Sequence, residues 1–147
     1  RGPFAALADC PYIDAQMAQE GAMGFAATKY DLSPEGFVVP VSKLDELRQR
    51  GFSTDELYKI VAPRRTLARR KESGSMLSPT ESDRALRLER IADLADRVFG
   101  NPEKAQRWLR KASRALDGVR PIDLLQSETG ASVVEDELHR IDYGMFA

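Results

Sequence analysis

The sequence predicts an all-α protein from about Val41 to the C-terminus. Three observations favour this fold class. Helix-start patterns recur along the chain, apolar residues follow them at spacings of three and four, and the period-two alternation typical of strands is lacking. With 147 residues, of which 42% are apolar, the chain can bury a core as one domain or as two small ones.

The first forty residues are the least regular part. Glycine and proline interrupt their short apolar stretches, and Ser33-Pro34-Glu35-Gly36 is typical of a turn. Phe37-Val38-Val39 is compatible with a short strand or with a packed linker. We therefore treat residues 1–40 as an N-terminal arm whose structure the sequence leaves open. Its cysteine, Cys10, has no basic neighbour, which favours an inert thiol in a reducing cytosol and hence a cytoplasmic protein.

Two short helices are predicted next, each starting at a capping box, in which a serine hydroxyl and a side chain three residues later satisfy unpaired amides. The boxes are Ser42-Lys43-Leu44-Asp45 and Ser53-Thr54-Asp55-Glu56. The second helix should bury Leu57, Ile60 and Val61. Leu57 and Val61 stand where the common helix-turn-helix pattern has small residues, which predicts an altered turn.

A third, basic helix follows the interruption at Ala62-Pro63, because proline disfavours helix in the residue before it and starts a new helix easily. Leu67 is its inward residue, and Ser73-Gly74-Ser75 closes it. Two short helices joined by a tight turn fit a helix-turn-helix. Five cations in eight residues can take guanine edges and phosphates, although a solvated helix is the alternative: Arg64, Arg65, Arg69, Arg70 and Lys71.

The long helix from Ser78 to Gly100 has the strongest helix signals. Ser78, Pro79 and Glu81 form a capping box with proline in the first turn, and Gly100 can take a left-handed stop. Its inward stripe comprises Leu88, Ile91, Ala92, Ala95, Val98 and Phe99.

The outward face of this helix should carry two ion pairs spaced four residues apart, Asp83–Arg87 and Asp93–Arg97. At 100° per residue, Leu86 falls among these charged side chains, almost opposite Leu88. A leucine there is either a tolerated surface residue or a contact with a second subunit or with the basic domain. We favour the contact.

Three further helices complete the chain. Asn101-Pro102-Glu103 caps one, and Arg120-Pro121 starts a short one. The last starts at Thr129 or Ser127 and ends at Tyr143-Gly144. The inward residues expected in these helices are Ala105, Trp108, Leu109 and Ala112, then Ile122, Leu124 and Leu125, then Val134, Leu138 and Ile141.

The C-terminal end combines acidic charge with an apolar tip. Residues 128–147 hold five acids against one arginine. Met145-Phe146-Ala147 follows a helix-stopping glycine, where a chain end is normally polar. The tip either packs on its own domain or inserts into another protein, and such an acidic segment could compete for a basic cleft that binds a phosphate-bearing ligand.

The sequence does not predict an enzyme, a cofactor or a metal site. The single histidine, His139, has no nearby histidine or cysteine and no nucleophile at a recognisable spacing, so a solvated or partner-facing side chain is favoured. The glycines form no phosphate-binding loop. No run of about 18 apolar residues is present, so no membrane-spanning helix is predicted.

Several separated runs of the sequence resemble the Xre/MbcA/ParS-type antitoxins, and the resemblance extends from about residue 42 to the end. The runs are VAPRRTLARR (61–70), LSPTESDR (77–84), VFG (98–100), AQRWL (105–109), RPIDLL (120–125), VEDEL (134–138) and IDYG (141–144).

This resemblance implies a type II antitoxin with two domains, an Xre-like helix-turn-helix at 41–76 that represses its own operon and a small helical toxin-binding domain at 77–147. It implies a homodimer whose partner is a RES-domain toxin that consumes NAD. The implied operator contacts are Arg64, Arg65, Thr66, Arg69, Arg70 and Lys71. The implied toxin contacts, at the toxin's NAD site, are Glu137, Arg140, Tyr143, Met145, Phe146 and Ala147. A repressor whose C-terminal domain only dimerises is the alternative.

Overall fold

The computed structural model describes residues 31–33 and 36–144. Within this part, a two-stranded hairpin precedes a helical body, which confirms the all-α fold class from Val41 onwards. The strands are β1 (Asp31–Ser33) and β2 (Gly36–Val38). The helices are α1 (Lys43–Gln49), α2 (Thr54–Ile60), α3 (Arg64–Ser73), α4 (Pro79–Phe99), α5 (Pro102–Arg110), α6 (Pro121–Leu124) and α7 (Glu128–Asp142), with a 3-10 turn at Arg114–Leu116. Most of the predicted arm, including Cys10, and the tail Met145-Phe146-Ala147 lie outside the described residues.

The sequence left a short strand or a packed linker open for residues 37–39, and the structure shows both. Phe37 and Val38 belong to β2, and Val39 is a buried linker after it. β2 pairs antiparallel with β1, with Asp31 opposite Val38 and Ser33 opposite Gly36. The buried Val39 then joins the hairpin to the helical body, because its amide donates to the Ser82 hydroxyl at 3.1 Å and its carbonyl accepts from the Leu77 amide at 2.9 Å.

Two of the three predicted capping boxes are present. Ser53 and Ser78 each accept from the amide three residues on, and the glutamate there accepts from the serine amide in return. Ser42 forms no such bond, so that prediction is wrong. Its backbone is already helical, and the carbonyls of Pro40 and Val41 take the first amides of α1 in place of the hydroxyl.

The helix α4 is the centre of the fold and contacts β2, α1, α5 and α7. Its predicted inward stripe is buried up to Ala95, whereas Val98 and Phe99 are half-buried. Gly100 ends the helix with φ of 60°, as predicted. The residues that α4 buries are Glu81, Ser82, Ala85, Leu88, Ile91, Ala92 and Ala95.

The two ion pairs predicted within α4 are replaced by pairs to other helices. Arg87 binds Glu128 of α7 at 2.7 Å, and Asp93 binds Arg50 at the end of α1. Arg87 and Asp93 therefore pair with residues about forty positions away, whereas Asp83 and Arg97 form no ion pair with the described residues.

The C-terminal helices pack largely as predicted. Trp108 is half-buried against Phe99, with ring centroids 5.7 Å apart, whereas Ala112 lies beyond the end of α5 and is exposed, because α5 stops at Arg110. Ser127, and not Thr129, caps α7. Val134 and Leu138 are fully buried.

Candidate DNA-binding and partner-binding surfaces

The helix α3 presents three exposed arginines around a buried anchor. Arg64, Arg65 and Arg69 are exposed and form no ion pair with any residue that the structure describes. Leu67 on the opposite side is only 4% exposed and holds α3 on the core. Unpaired guanidinium groups on the outer face of such a helix are available to base edges and phosphates.

The other predicted contacts of α3 are placed differently. The Nε of Arg70 lies 2.6 Å from Oε2 of Glu81, and its guanidinium also donates to the Met76 carbonyl at 3.0 Å. Arg70 therefore holds α3 against the start of α4, and its contact with DNA stays a prediction. Lys71 is exposed, 3.5 Å from Asp45, and Thr66 is half-buried.

The turn between α2 and α3 is firmly packed. Val61 and Ala62 are buried, and Arg84 of α4 donates to the Val61 carbonyl at 3.1 Å. Leu57 is only 2% exposed, so the core accommodates larger side chains at both positions where the common pattern has small ones. The orientation of α3 is thus set by α4.

The helix α7 is fixed at its beginning and exposed at its end. Glu128 binds both Arg87 and Arg90, and Arg90 also binds Glu135. Hydrogen bonds from Arg90 and Arg87 hold the pKa of the Glu128 carboxyl below its usual value. The sequence offered no signal for these pairs, because their partners lie 38 to 45 positions apart.

The predicted toxin contacts that the structure describes lie on the last turns of α7. Arg140 pairs with Glu137 at 3.3 Å. Tyr143 is 76% exposed. Val133, earlier on the same helix, is an exposed apolar side chain that no sequence signal had indicated, with 44% of its surface accessible. Met145, Phe146 and Ala147 lie outside the described residues.

A clamp that the sequence did not reveal joins α5 to α2. The guanidinium of Arg110 makes two hydrogen bonds of 2.8 Å to the carboxylate of Glu56 and a third, of 2.7 Å, to the Gly51 carbonyl. Burial pushes the pKa of the Glu56 carboxyl upward, but the hydrogen bonds from Arg110 and Ser53 outweigh it, so that this pKa lies below its usual value.

A second link joins α2 to α6. Lys59 binds Asp123 at 2.9 Å, and Asp123 also pairs with Arg120. The hydrogen bonds from Arg120 and Lys59 lower the pKa of the Asp123 carboxyl. The two links fix α2 to the C-terminal helices.

Leu86 faces a groove between α4 and the hairpin. It is half-buried, packs against the core and lines a concavity of about 910 Å³ together with Phe37, which is 51% exposed. Charged side chains of α4 and α7 form the rim of this groove. Leu86 is therefore not fully solvated, and its contact with a second subunit stays a prediction.

The part of the chain that the structure describes contains no group of three metal-binding side chains close enough to hold an ion. His139 is half-buried on α7. No described helix is long and apolar enough to cross a membrane.

Two family models match consecutive stretches of the chain and divide it within α4. Residues 39–90 match the antitoxin Xre-like helix-turn-helix domain, and residues 94–144 match the antitoxin Xre/MbcA/ParS C-terminal toxin-binding domain. The chain belongs to the Xre/MbcA/ParS antitoxin family. Within this family's architecture, α2 and α3 lie in the helix-turn-helix match, and α5 and α7 lie in the toxin-binding match.

Individual relatives agree with this membership. An antitoxin Xre from Pseudomonas putida is 37% identical over 101 residues, which are 69% of this chain and 64% of the relative. A protein of a Sphingobium species, named Prs ADP-ribosylating antitoxin, is 36% identical over 91 residues, 56% of this chain and 57% of the relative. The chain thus spans less than two thirds of the length of either relative.

A solved structure shares the fold. The crystal structure of the M. tuberculosis MbcT-MbcA toxin-antitoxin complex contains a chain that superimposes with a TM-score of 0.57 at 23% identity, covering 73% of this chain and 96% of that one. At this identity the similarity shows the fold alone.

Proposed function

We propose that this protein is an antitoxin that binds and inhibits a RES-domain toxin that consumes NAD, and that it represses its own operon through α2 and α3. The observation that carries the proposal is the match of residues 94–144 to a toxin-binding domain whose last helix, α7, is anchored at its start and exposed at its end. The same domain follows a helix-turn-helix with free arginines.

The end of α7 suits insertion into a partner. Tyr143 is 76% exposed, and the apolar residues Met145 and Phe146 follow it in the sequence. An exposed aromatic side chain next to an apolar tip supplies the anchor that interfaces commonly bury. Asp136 and Asp142 of α7 are exposed and form no ion pair with the described residues. They suit a cleft that normally binds the phosphates of NAD, because a nucleotide-binding cleft is positively charged.

A relative's name supports a partner that consumes NAD. ADP-ribosylation transfers ADP-ribose from NAD, and the Sphingobium relative is named after an ADP-ribosylating activity. We extend the same class of partner to this chain, by NAD degradation or by ADP-ribosyl transfer.

The helix-turn-helix supports operator binding by a dimer. Arg64, Arg65 and Arg69 project from α3 without described partners, and two such helices related by a two-fold axis would read two half-sites one helical turn apart. We propose a homodimer within a larger toxin–antitoxin complex, with the Leu86 groove as a candidate contact.

Co-expression tests the toxin-binding part of the proposal. The neighbouring RES-type gene is expressed with the full chain, with the chain lacking residues 143–147, or with a Tyr143→Ala variant. We expect the full chain to protect cells and preserve cellular NAD. The truncation and Tyr143→Ala should protect less, because each removes side chains that are proposed to block the toxin. Arg114→Ala, at an exposed position away from α7, is the control and should protect fully. A truncated chain that still protects would refute insertion of the tail, and the lack of any RES-type neighbour would favour the repressor alone.

A further inference from the structure

A row of concavities on the protein surface extends from α3 to α5. Four adjoining concavities form it, and each shares lining residues with the next. Ala68 lines the first and the second, Thr54 the second and the third, and Gln49 the third and the fourth. We call this row of adjoining concavities, from Arg65 on α3 to Lys111 after α5, the basic trough.

The lining of the basic trough is strongly cationic. It contains eight lysine and arginine side chains against three carboxylates, in a protein whose net charge is −1. In its middle, a single carboxylate, Asp45, lies 3.7 Å from Arg48 and 3.5 Å from Lys71. The positive charge is therefore a local feature of this surface and not a consequence of composition.

The two ends of the trough carry the cations that are free to bind a ligand. Arg65 and Arg69 at the first end, and Arg107 and Lys111 at the other, are exposed and form no ion pair with the described residues. Arg50 and Arg110 beside them are held by Asp93 and Glu56, respectively, and so shape the wall of the trough.

The Arg110 clamp determines where the second end lies. By binding Glu56 and the Gly51 carbonyl, Arg110 holds α5 beside the start of α2. In helix-turn-helix proteins the first helix of the motif crosses the DNA backbone while the second enters the major groove. Arg107 and Lys111 consequently extend the cationic surface from the position where a helix-turn-helix meets phosphates.

We propose that the basic trough binds the DNA backbone, with Arg107 and Lys111 contacting phosphates outside the bases that α3 reads. The toxin-binding domain thereby contributes to DNA affinity, since α5 belongs to the stretch that matches that domain. This inference rests on the proposed operator binding by α3. Phosphate contacts fix the position of a protein on the duplex without reading its sequence, so these two residues should add affinity and not specificity.

Salt-dependent binding of the purified full chain to DNA tests the inference. Fluorescence anisotropy is measured from about 50 to 200 mM salt with two labelled duplexes of equal length, one from the promoter of its own operon and one with the same bases scrambled. In the double variant Arg107→Gln/Lys111→Gln, the affinity for both duplexes should fall roughly tenfold or more. The slope of log affinity against log salt should become shallower by about 2, because each lost phosphate contact removes about 0.9.

A matched control separates contact from net charge. Arg97→Gln/Arg114→Gln removes the same charge from exposed positions that do not line the trough and form no ion pair with the described residues, and its salt slope should stay at the wild-type value. The inference would be overturned if the trough variant had the same salt slope as the wild type. It would also be overturned if the trough variant and the control lost the same affinity for DNA. The inference would also be overturned if Arg107→Gln/Lys111→Gln lost binding to a purified toxin while the salt dependence of its DNA binding stayed unchanged. That result would assign the trough to a protein partner.

A third variant distinguishes failure of this inference from failure of the proposed function. Arg65→Gln/Arg69→Gln should reduce the preference for the promoter duplex over the scrambled one. If it does so while Arg107→Gln/Lys111→Gln changes nothing, α3 binds the operator and the trough beyond it does not. If the wild-type chain shows no preference and neither variant changes binding, operator recognition fails, and the trough proposal fails with it.

Discussion

At the scale of single residues, Glu56 has two structural roles. Its carboxylate completes the capping box with Ser53 and also accepts two hydrogen bonds from Arg110, 54 positions away. The sequence predicted the first role because capping is local. It gave no sign of the second, because the position of Arg110 depends on how α5 packs.

We predict that Arg110→Gln lowers the free energy of unfolding by about 1 to 2 kcal/mol at pH 7, because the ion pair joins two charged groups but the Arg110 side chain is 34% exposed. The pKa of Glu56 is lowered in the folded state, so the ion pair stabilises the fold fully above the ordinary value of 4.5 and loses this contribution as the pH falls through the lower, folded value. The difference between wild type and variant in urea unfolding should therefore shrink below pH 4.5. A constant difference across this range would contradict the pairing, and Arg107→Gln is the control.

Arg69 and Arg70 adjoin in sequence and differ in role. Arg69→Ala should weaken operator binding without changing stability, because the side chain is exposed and unpaired among the described residues. Arg70→Ala should lower the unfolding free energy by roughly 1 to 3 kcal/mol, since it leaves the buried Glu81 without its cation. Anisotropy and urea unfolding of both variants measure this. The opposite pattern would return Arg70 to the DNA contacts.

At the scale of elements, the junction of α6 and α7 depends on a glycine. A Cβ built on Gly130 would overlap the carbonyl oxygen of Leu124, which is backbone and cannot rotate away. Gly130 also donates its amide to the capping hydroxyl of Ser127. The close approach of α6 to the first turn of α7 therefore requires the absence of a side chain.

Gly130→Ala should destabilise the protein by about 1 to 3 kcal/mol, although alanine is the better helix former, because the overlap forces the backbone to move. Ser132→Ala, at an exposed position of the same helix, should change stability by less than about 0.5 kcal/mol. Thermal unfolding of the two variants measures the contrast, and a more stable Gly130→Ala protein would show that α7 can shift freely.

A substitution at Leu86 tests whether α4 contacts a second subunit through the face opposite its buried stripe. Leu86→Glu should reduce the dimeric fraction in sedimentation velocity while the helical circular dichroism stays unchanged, because the side chain lies at the edge of a groove and not in the core. Thr80→Glu adds the same charge at an exposed site of α4 and should leave the mass unaltered. An unchanged mass for Leu86→Glu would remove the groove from the dimer proposal.

At the scale of the whole molecule, α4 unites the two parts of the chain. The helix-turn-helix match ends within it at residue 90 and the toxin-binding match begins at residue 94. It holds α3 through Glu81 and Arg70, and it holds α7 through Arg90 and Glu128. The described part of the chain is therefore one connected body around this helix, and its two surfaces are fixed relative to each other.

The sequence predicted what depends on neighbours along the chain. The helix class, the boxes at Ser53 and Ser78 and the buried stripe of α4 follow from local spacing. Ser42 failed because the incoming backbone is already helical, and Asp93–Arg97 failed because Arg50 arrives from α1. Long-range charge pairs follow from packing, so the basic trough and the clamp could be found only in three dimensions.

Inhibition of the purified toxin tests the central claim, that the end of α7 and the following residues block the NAD site. NAD consumption is followed at increasing NAD concentrations with the full chain and with the chain lacking residues 143–147. We predict that inhibition by the full chain weakens as NAD rises, and that the truncated chain still binds the toxin but no longer inhibits it. Inhibition that is independent of NAD concentration and unaffected by the truncation would contradict the account.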